Sequence, residues 1–379
     1  MDERVLAERL MTYDTSTPSG LRAAAGFVKG WLESKSLPVQ STEHGGLPVL
    51  SVDVGGPAGS PTVILHGHLD VVPAYAHQFE PRVEGDRLIG RGAYDMKGAL
   101  AAMMVALPEL ASQDAVRVRF VCVPDEEAED LTDRSTDALV AGGLTGDFAI
   151  TGEPTDLHIG VEAKGVLALR LSIAGVAAHG STPWLGDNAI LKAGDAFRRI
   201  ETLPFSRESS ELFDRPSINL ARIEGGDAFN KVPDRCTMDV DIRFLPTQVP
   251  GEPLAQIRAI PVAEVVKIFS RKPAVVARTN PYVRALRDGL ASYVDPARPA
   301  MSVGRDGASD AISFLEAGIP AVEFGPVGAG HHGPEEWVSI ESLGAYRRAL
   351  VDFVGVVPQQ LREAEGGGPS LRAVDGGAA

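Results

Sequence analysis

Residues 65–73 read LHGHLDVVP. The apolar run before them, PTVIL, suits a buried strand, yet that strand closes on two histidines and an aspartate spaced two apart. Successive side chains of an extended chain alternate faces, so His66, His68 and Asp70 project to one side. Three polar groups on one face at the end of a core strand need metal, water or hydrogen-bond partners. The spacing indicates a site without ordering the three residues.

Other fragments have the same character. Of the eight histidines, His179 falls in AAHGSTP, and His331 and His332 in GAGHHGPEEW, whereas His44, His77 and His158 have ordinary surface or strand-start surroundings. Acidic residues gather where strands should end: Asp95 in the glycine-rich GRGAYDMKGAL, Asp125, Glu126 and Glu127 after VRFVCVP, and Glu153 in TGEPTD after DFAIT. Each fragment alone also reads as a turn, a helix cap or a solvated loop, and PDEEAED alone favours the loop. In an open α/β sheet, however, ligands gather outside the carboxyl ends of the strands, which brings HGHLD, PDEE and TGEP to one rim. Histidine with carboxylate suits zinc or a similar divalent ion, and a carboxylate between two ions can bridge them.

The elements that must hold these residues are legible from periodicity. Ala24, Phe27, Val28, Trp31 and Leu32 recur at helical spacing. PVLSVDV, PTVILHG, AVRVRFVCVP and DFAIT read as strands, with helices at MKGALAAMMVALPEL and STDALVAGG, the pattern of a mainly parallel sheet covered by helices. After Lys164 the strands alternate apolar and polar; Met238, Val240, Ile242 and Phe244 should face a core, with Asp239, Asp241 and Arg243 facing out. The order there is β-α-β-β-α-β, which is ferredoxin-like. The α/β pattern then resumes through PYVRALRDGLASYV, ASDAISFLEAG, PAVEFG and SIESLGAYRRALVDFV. The expected organisation is therefore an α/β domain formed by residues 1–164 and 278–358, an inserted α+β unit at 165–277, and a disordered tail at 359–379.

Composition narrows the function. The chain has 379 residues and a formal charge of −15, which argues against a nucleic-acid partner. The charged start MDERVLAERL and the lack of a membrane-length apolar run give a cytoplasmic expectation with no membrane partner. Two cysteines, Cys122 and Cys236, exclude a disulfide framework and read as strand packing.

In this order, the motifs GHLDVVP, GRGAYDMKG, PDEE, TGEPT, AAHGSTP, FNKVPDRCTMDVDIR, GASDA and GHHGPEEW resemble those of the two-zinc amidohydrolase family of metallopeptidases. That family includes acetylornithine deacetylase, succinyl-diaminopimelate desuccinylase, carboxypeptidase G and the aminoacylases. The resemblance implies a first metal on His68, Asp95 and Glu153, and a second on Asp95, Glu127 and His332. His332 is chosen over His331 by its spacing from the Glu-Trp pair. Asp70 would orient His68 from behind, the Asp95–Met96 peptide would be cis, and Glu126 would be the general base acting on a metal-activated water. His179 would stabilise the oxyanion from a neighbouring subunit, with Asn230 and Arg243 binding the substrate carboxylate or acyl group. The inserted unit would be the lid and the dimerisation surface.

The chain departs from the family pattern at Ala128-Glu129-Asp130, where relatives often carry glycine, and at GASDA, where many have threonine. The expected activity is metal-dependent amide hydrolysis of a small, carboxylated N-acyl amino acid, of the deacetylase or desuccinylase type used in amino-acid biosynthesis. The cofactors would be two divalent ions, zinc first and cobalt or manganese next. A carboxypeptidase or dipeptidase is the alternative. An inactive metal-binding scaffold is more remote, because the ligand set and Glu126 are all present.

Overall fold

The computed structural model describes residues 2–128, 133–249, 251–261, 263–307 and 309–366. Glu129 and Asp130, in the first departure from the family pattern, and Ala308 of GASDA lie outside them.

The central sheet runs in the order Gln40–His44, Leu47–Gly55, Arg117–Val123, Thr62–His68, Phe148–Thr151, Ala321–Glu323, Ile159–Ala163 and Ala274–Val275, with Ser302–Arg305 also pairing with Ile159–Ala163. The middle four strands are mutually parallel. Antiparallel strands flank them on both sides. Parallel strands end at one edge, so His68, the residues after Val123, those after Thr151, and Glu323 reach a common rim.

Alternation along Thr62–His68 assigns its two faces. Val63 and Leu65 join the core built with the helices Glu3–Met11, Pro18–Ser34, Gly98–Leu110, Pro281–Leu290 and Ile340–Gly366. Ile64 belongs to the opposite core, with Phe314 of Ala311–Glu316 and Leu139 of Ser135–Ala141. His66 and His68 share the face of Ile64. Gly67 faces the other way, where an added Cβ would come within 2.8 Å of Met96. In Pro18–Ser34, Thr17 caps the N-terminus, and Ala24, Val28, Trp31 and Leu32 are buried.

The inserted unit has the β-α-β-β-α-β order. Its antiparallel sheet runs Ser217–Gly225, Arg235–Phe244, Gly165–Ala174, Ala263–Arg271, with helices Ala189–Ile200 and Glu252–Arg258. Met238, Val240, Ile242 and Phe244 are buried against Leu167, Leu169, Leu171 and Ile173 and one face of Ala189–Ile200. Cys122 and Cys236 are both buried and unpaired.

The tail needs correction. The helix Ile340–Gly366 continues past Gln359, where disorder was expected. Gln360 is buried and donates to Asp288 of Pro281–Leu290 at 2.9 Å, and Leu361 packs on the main core. The glycine-rich composition that signalled disorder belongs to residues 367–379, which lie outside the described residues.

Candidate metal centre

The parallel strands deliver the site from three directions. At the end of Thr62–His68, the Nδ1–H of His68 donates to the Asp70 carbonyl at 3.0 Å, with the Asp70 carboxylate 3.4 Å away. That bond occupies Nδ1 and turns Nε2 toward the rim. The Asp70 carboxylate also accepts from the backbone N–H of Glu126 at 3.2 Å and of Glu127 at 2.7 Å. One aspartate thus ties the strand end carrying His68 to the loop carrying both glutamates. Asp95 comes from a turn between Arg87–Ile89 and Gly98–Leu110, and its peptide bond to Met96 is cis.

Two clusters meet at Asp95. Its Oδ1 lies 3.1 Å from His68 Nε2, which is also 3.8 Å from Glu153 Oε1. Its Oδ2 lies 3.4 Å from His332 Nε2, which is 2.8 Å from Glu127 Oε1. His68 with Asp95 and Glu153, and Asp95 with Glu127 and His332, each bring three donor atoms within 4.8 Å of one another. His68 with Glu126 and Glu127 does the same, so Glu126 stands beside the clusters. Glu153 Oε1 is buried without a hydrogen-bond partner among the described residues. A buried, unpartnered carboxylate oxygen aimed at imidazole and carboxylate donors fits a divalent cation.

Burial and crowding also set the charges of these groups. Burial pushes the Glu126 and Glu153 carboxyls well above their ordinary range, and neighbouring carboxylates add to it: Glu153 acts on Glu126, and Asp95 on Glu153. Burial also pushes Asp95 up, but hydrogen bonds from His332 and His68 outweigh it and hold the carboxyl low. His332, bonded to Asp95 and Glu127, is pushed up to about 10. Packed carboxylates of this kind are what a bound cation would neutralise.

Residues 64–355 match peptidase family M20/M25/M40. The chain belongs to that family. Membership makes it a metal-dependent hydrolase of amide bonds. The succinyl-diaminopimelate desuccinylase of Novosphingobium aromaticivorans is 28% identical over 372 residues, covering 92% of this chain and 96% of that one. The putative succinyl-diaminopimelate desuccinylase of Mycobacterium tuberculosis is 32% identical over 276 residues, 70% of this chain and 74% of that one. Among solved structures, the M20 family metallo-carboxypeptidase Sso-CP2 of Sulfolobus solfataricus shares the fold, with a TM-score of 0.77 at 19% identity over 95% and 100% of the two chains. So does a tripeptidase of Staphylococcus aureus, with a TM-score of 0.78 at 20% identity over 94% and 97%.

The three residues expected from the inserted unit do not all converge on this site. Arg243 lines the cavity of about 630 Å³ that also opens onto Asp95, Glu126, Glu127, Glu153 and His332. Its Nε donates to Asp241 at 3.0 Å. His179 and Asn230 do not line that cavity. They lie on the exposed surface of the inserted unit, joined by the Gly180 N–H donating to the Asn230 carbonyl at 2.7 Å.

His66 stands apart from the clusters and is fully buried. Its Nε2 lies 3.0 Å from Thr136 Oγ1, Thr136 donates to Asp310 at 2.5 Å, and its ring meets Phe314 edge-on. His331 packs between Tyr94 and His332.

Sequence reasoning missed three side chains. Arg134 approaches Glu126 at 3.4 Å and Asp310 at 3.6 Å. Arg305, paired with Glu323 at 2.7 Å, lines the same cavity. Glu336 is fully buried and accepts from the Asp95 backbone N–H at 3.0 Å. Glu336 stands inside a motif already singled out, GHHGPEEW, but nothing local distinguishes it from the exposed Glu335.

Proposed function

We propose that this enzyme hydrolyses a small N-acyl amino acid, of the deacetylase or desuccinylase type, with two divalent ions held by His68, Asp95 and Glu153 and by Asp95, Glu127 and His332. The observation that carries the reading is Asp95, whose two oxygens address two histidine-carboxylate clusters with a further partly buried carboxylate, Glu126, beside them. Zinc is the first choice for such donors, with cobalt or manganese as functional substitutes. Two ions in that arrangement supply an acidified water and a polarised amide carbonyl.

Glu126 takes the proton from the attacking water and hands it to the leaving amine. Its carboxylate stands within reach of His68 and Glu127, beside both clusters. Arg134 steadies it from the cavity wall. Arg243, with Nε on Asp241, turns the rest of its guanidinium to a carboxylate of the substrate.

His179 and Asn230 complete a site from the partner subunit of a homodimer formed through residues 165–277. The largely exposed Trp184, Leu185, Leu191 and Phe229 on that unit support the partner surface. The Nδ1 of His179 is held by Ser181 at 2.8 Å, which leaves Nε2 to reach outward. Two buried free thiols suit a reducing, cytoplasmic setting.

Hydrolysis of a panel with and without chelator tests the reading: N-acetylornithine, N-succinyl-diaminopimelate, other N-acyl amino acids and dipeptides. Turnover should be fastest on an N-acyl amino acid, vanish with chelator and return with zinc. Faster turnover of dipeptides would move the assignment to a peptidase, and no turnover by metal-loaded protein would overturn it.

A further inference from the structure

Glu336 gathers four donors on two carboxylate oxygens. Oε1 accepts from the backbone N–H of Tyr94 and of Asp95, each at 3.0 Å. Oε2 accepts from the N–H of Gly92 at 3.0 Å and from Arg91 Nη1 at 2.8 Å. The turn it cradles is specialised: Gly92 has φ +80°, and a Cβ there would come within 2.8 Å of the buried Lys97 side chain. Arg91 also donates from Nη2 to the carbonyl of His332 at 3.2 Å, and the Gly90 N–H donates to the Glu336 carbonyl at 2.9 Å. The turn bearing Asp95 and the loop bearing His332 are therefore fastened to each other through Glu336, its ion pair with Arg91 and the backbone hydrogen bonds around it.

The two clusters depend on that fastening unequally. His68 ends a central strand and Glu153 follows another, so the sheet itself places them. His332 has no such support. It lies on the loop between Gly328–Ala329 and Trp337–Ser339, its side chain is half-exposed, and its backbone adopts φ +62°, which a non-glycine residue keeps only under constraint.

We infer that Glu336 is a positioning residue for the second ion: with Arg91 it fixes the separation between Asp95 Oδ2 and His332 Nε2. The inference rests on the two-ion reading above. Glu336→Gln keeps the shape but exchanges one acceptor oxygen for an NH₂ donor, which then faces other donors whichever way the amide turns. Arg91→Lys keeps the positive charge beside Glu336, but an ammonium lacks the planar fork that reaches Glu336 and the His332 carbonyl together.

Zinc titration of the metal-free full chain by calorimetry, with cobalt absorption spectra and circular dichroism, tests it on wild type, Glu336→Gln and Arg91→Lys. Wild type should take up two ions. Both variants should bind the first ion with affinity within about threefold of wild type and the second about 10–100-fold more weakly, the range for groups that support metal ligands. The second cobalt band should be lost at sub-saturating metal, and turnover should recover with excess metal. Wild-type affinity for the second ion in both variants overturns the inference, as does equal weakening of both ions in Arg91→Lys. If Glu336→Gln fails to fold, Arg91→Lys decides. A wild type that binds one ion overturns the two-ion reading and this inference with it, a result distinct from failure of the variants alone.

Discussion

Glu126 and Glu127 are adjacent in the chain yet take different partners: Oε1 of Glu127 lies 2.8 Å from His332, whereas Glu126 approaches Arg134 at 3.4 Å. Asp70 holds the fork by accepting both backbone N–H groups. The two carboxylates should therefore separate by experiment. Glu126→Gln is expected to lower turnover by about 10²–10⁴-fold with metal content unchanged. Glu127→Gln should weaken binding of one ion. Elemental analysis of the purified variants checks this, and equal metal loss in both would contradict the division.

Removing metal leaves the charges of Asp95 and Glu127 acting on the buried Glu153, whose Oε1 has no hydrogen-bond partner among the described residues. Chelation should abolish turnover and lower the unfolding midpoint. Zinc at a hundredfold excess over its dissociation constant should restore about 2.7 kcal/mol for each site that exists only in the folded chain. Thermal unfolding across a zinc series is the measurement, and a midpoint indifferent to zinc would count against the centre.

His66 gives a pH dependence of stability. Thr136 donates its hydroxyl to Asp310, so it accepts from His66 Nε2–H, and His66 Nδ1 has no partner among the described residues: the ring is neutral. Burial, with His68 nearby, pushes its pKa down to about 3 from 6.5. For a base with a depressed folded pKa, the unfolded chain binds the extra proton. The stability involved is thus complete above pH 6.5 and is lost as pH falls toward 3, by up to about 1.4 kcal/mol per pH unit. In urea titrations of metal-free protein, wild type should lose stability with acid more steeply than His66→Gln. Parallel curves would show that His66 does not titrate this way.

The proposed dimer makes a complementation prediction. His179→Ala should lower turnover by about 10²-fold with little effect on metal binding. Mixed and reassociated with Glu126→Gln subunits, it should recover about a quarter of wild-type activity. Half of the dimers are then mixed, and each has one site pairing an intact Glu126 with an intact partner His179. A fully active monomer on sedimentation, or no recovery on mixing, would remove the shared site.

Much of this protein follows from local pattern. Alternation along PTVILHGH predicted the strand and put His66 and His68 on one face. Period-2 burial at Met238, Val240, Ile242 and Phe244 gave the inserted sheet its core side, and strand ends carrying HGHLD, PDEE and TGEP pointed to one rim. These features depend on spacing within a few residues, which a sequence displays directly.

Only the tertiary structure separated residues of similar type. Two residues along a strand is roughly 7 Å, so His68 reaches the rim while His66 stays beneath it among Thr136, Asp310 and Phe314. Glu336 and Glu335 are indistinguishable as letters, yet one is fully buried and the other exposed. The partners of Glu336 lie 241 to 245 positions away in the chain. The helix beyond Gln359 likewise depends on Asp288, far back in Pro281–Leu290. Periodicity records which way a side chain points from its own backbone. Packing between distant segments decides what it meets there.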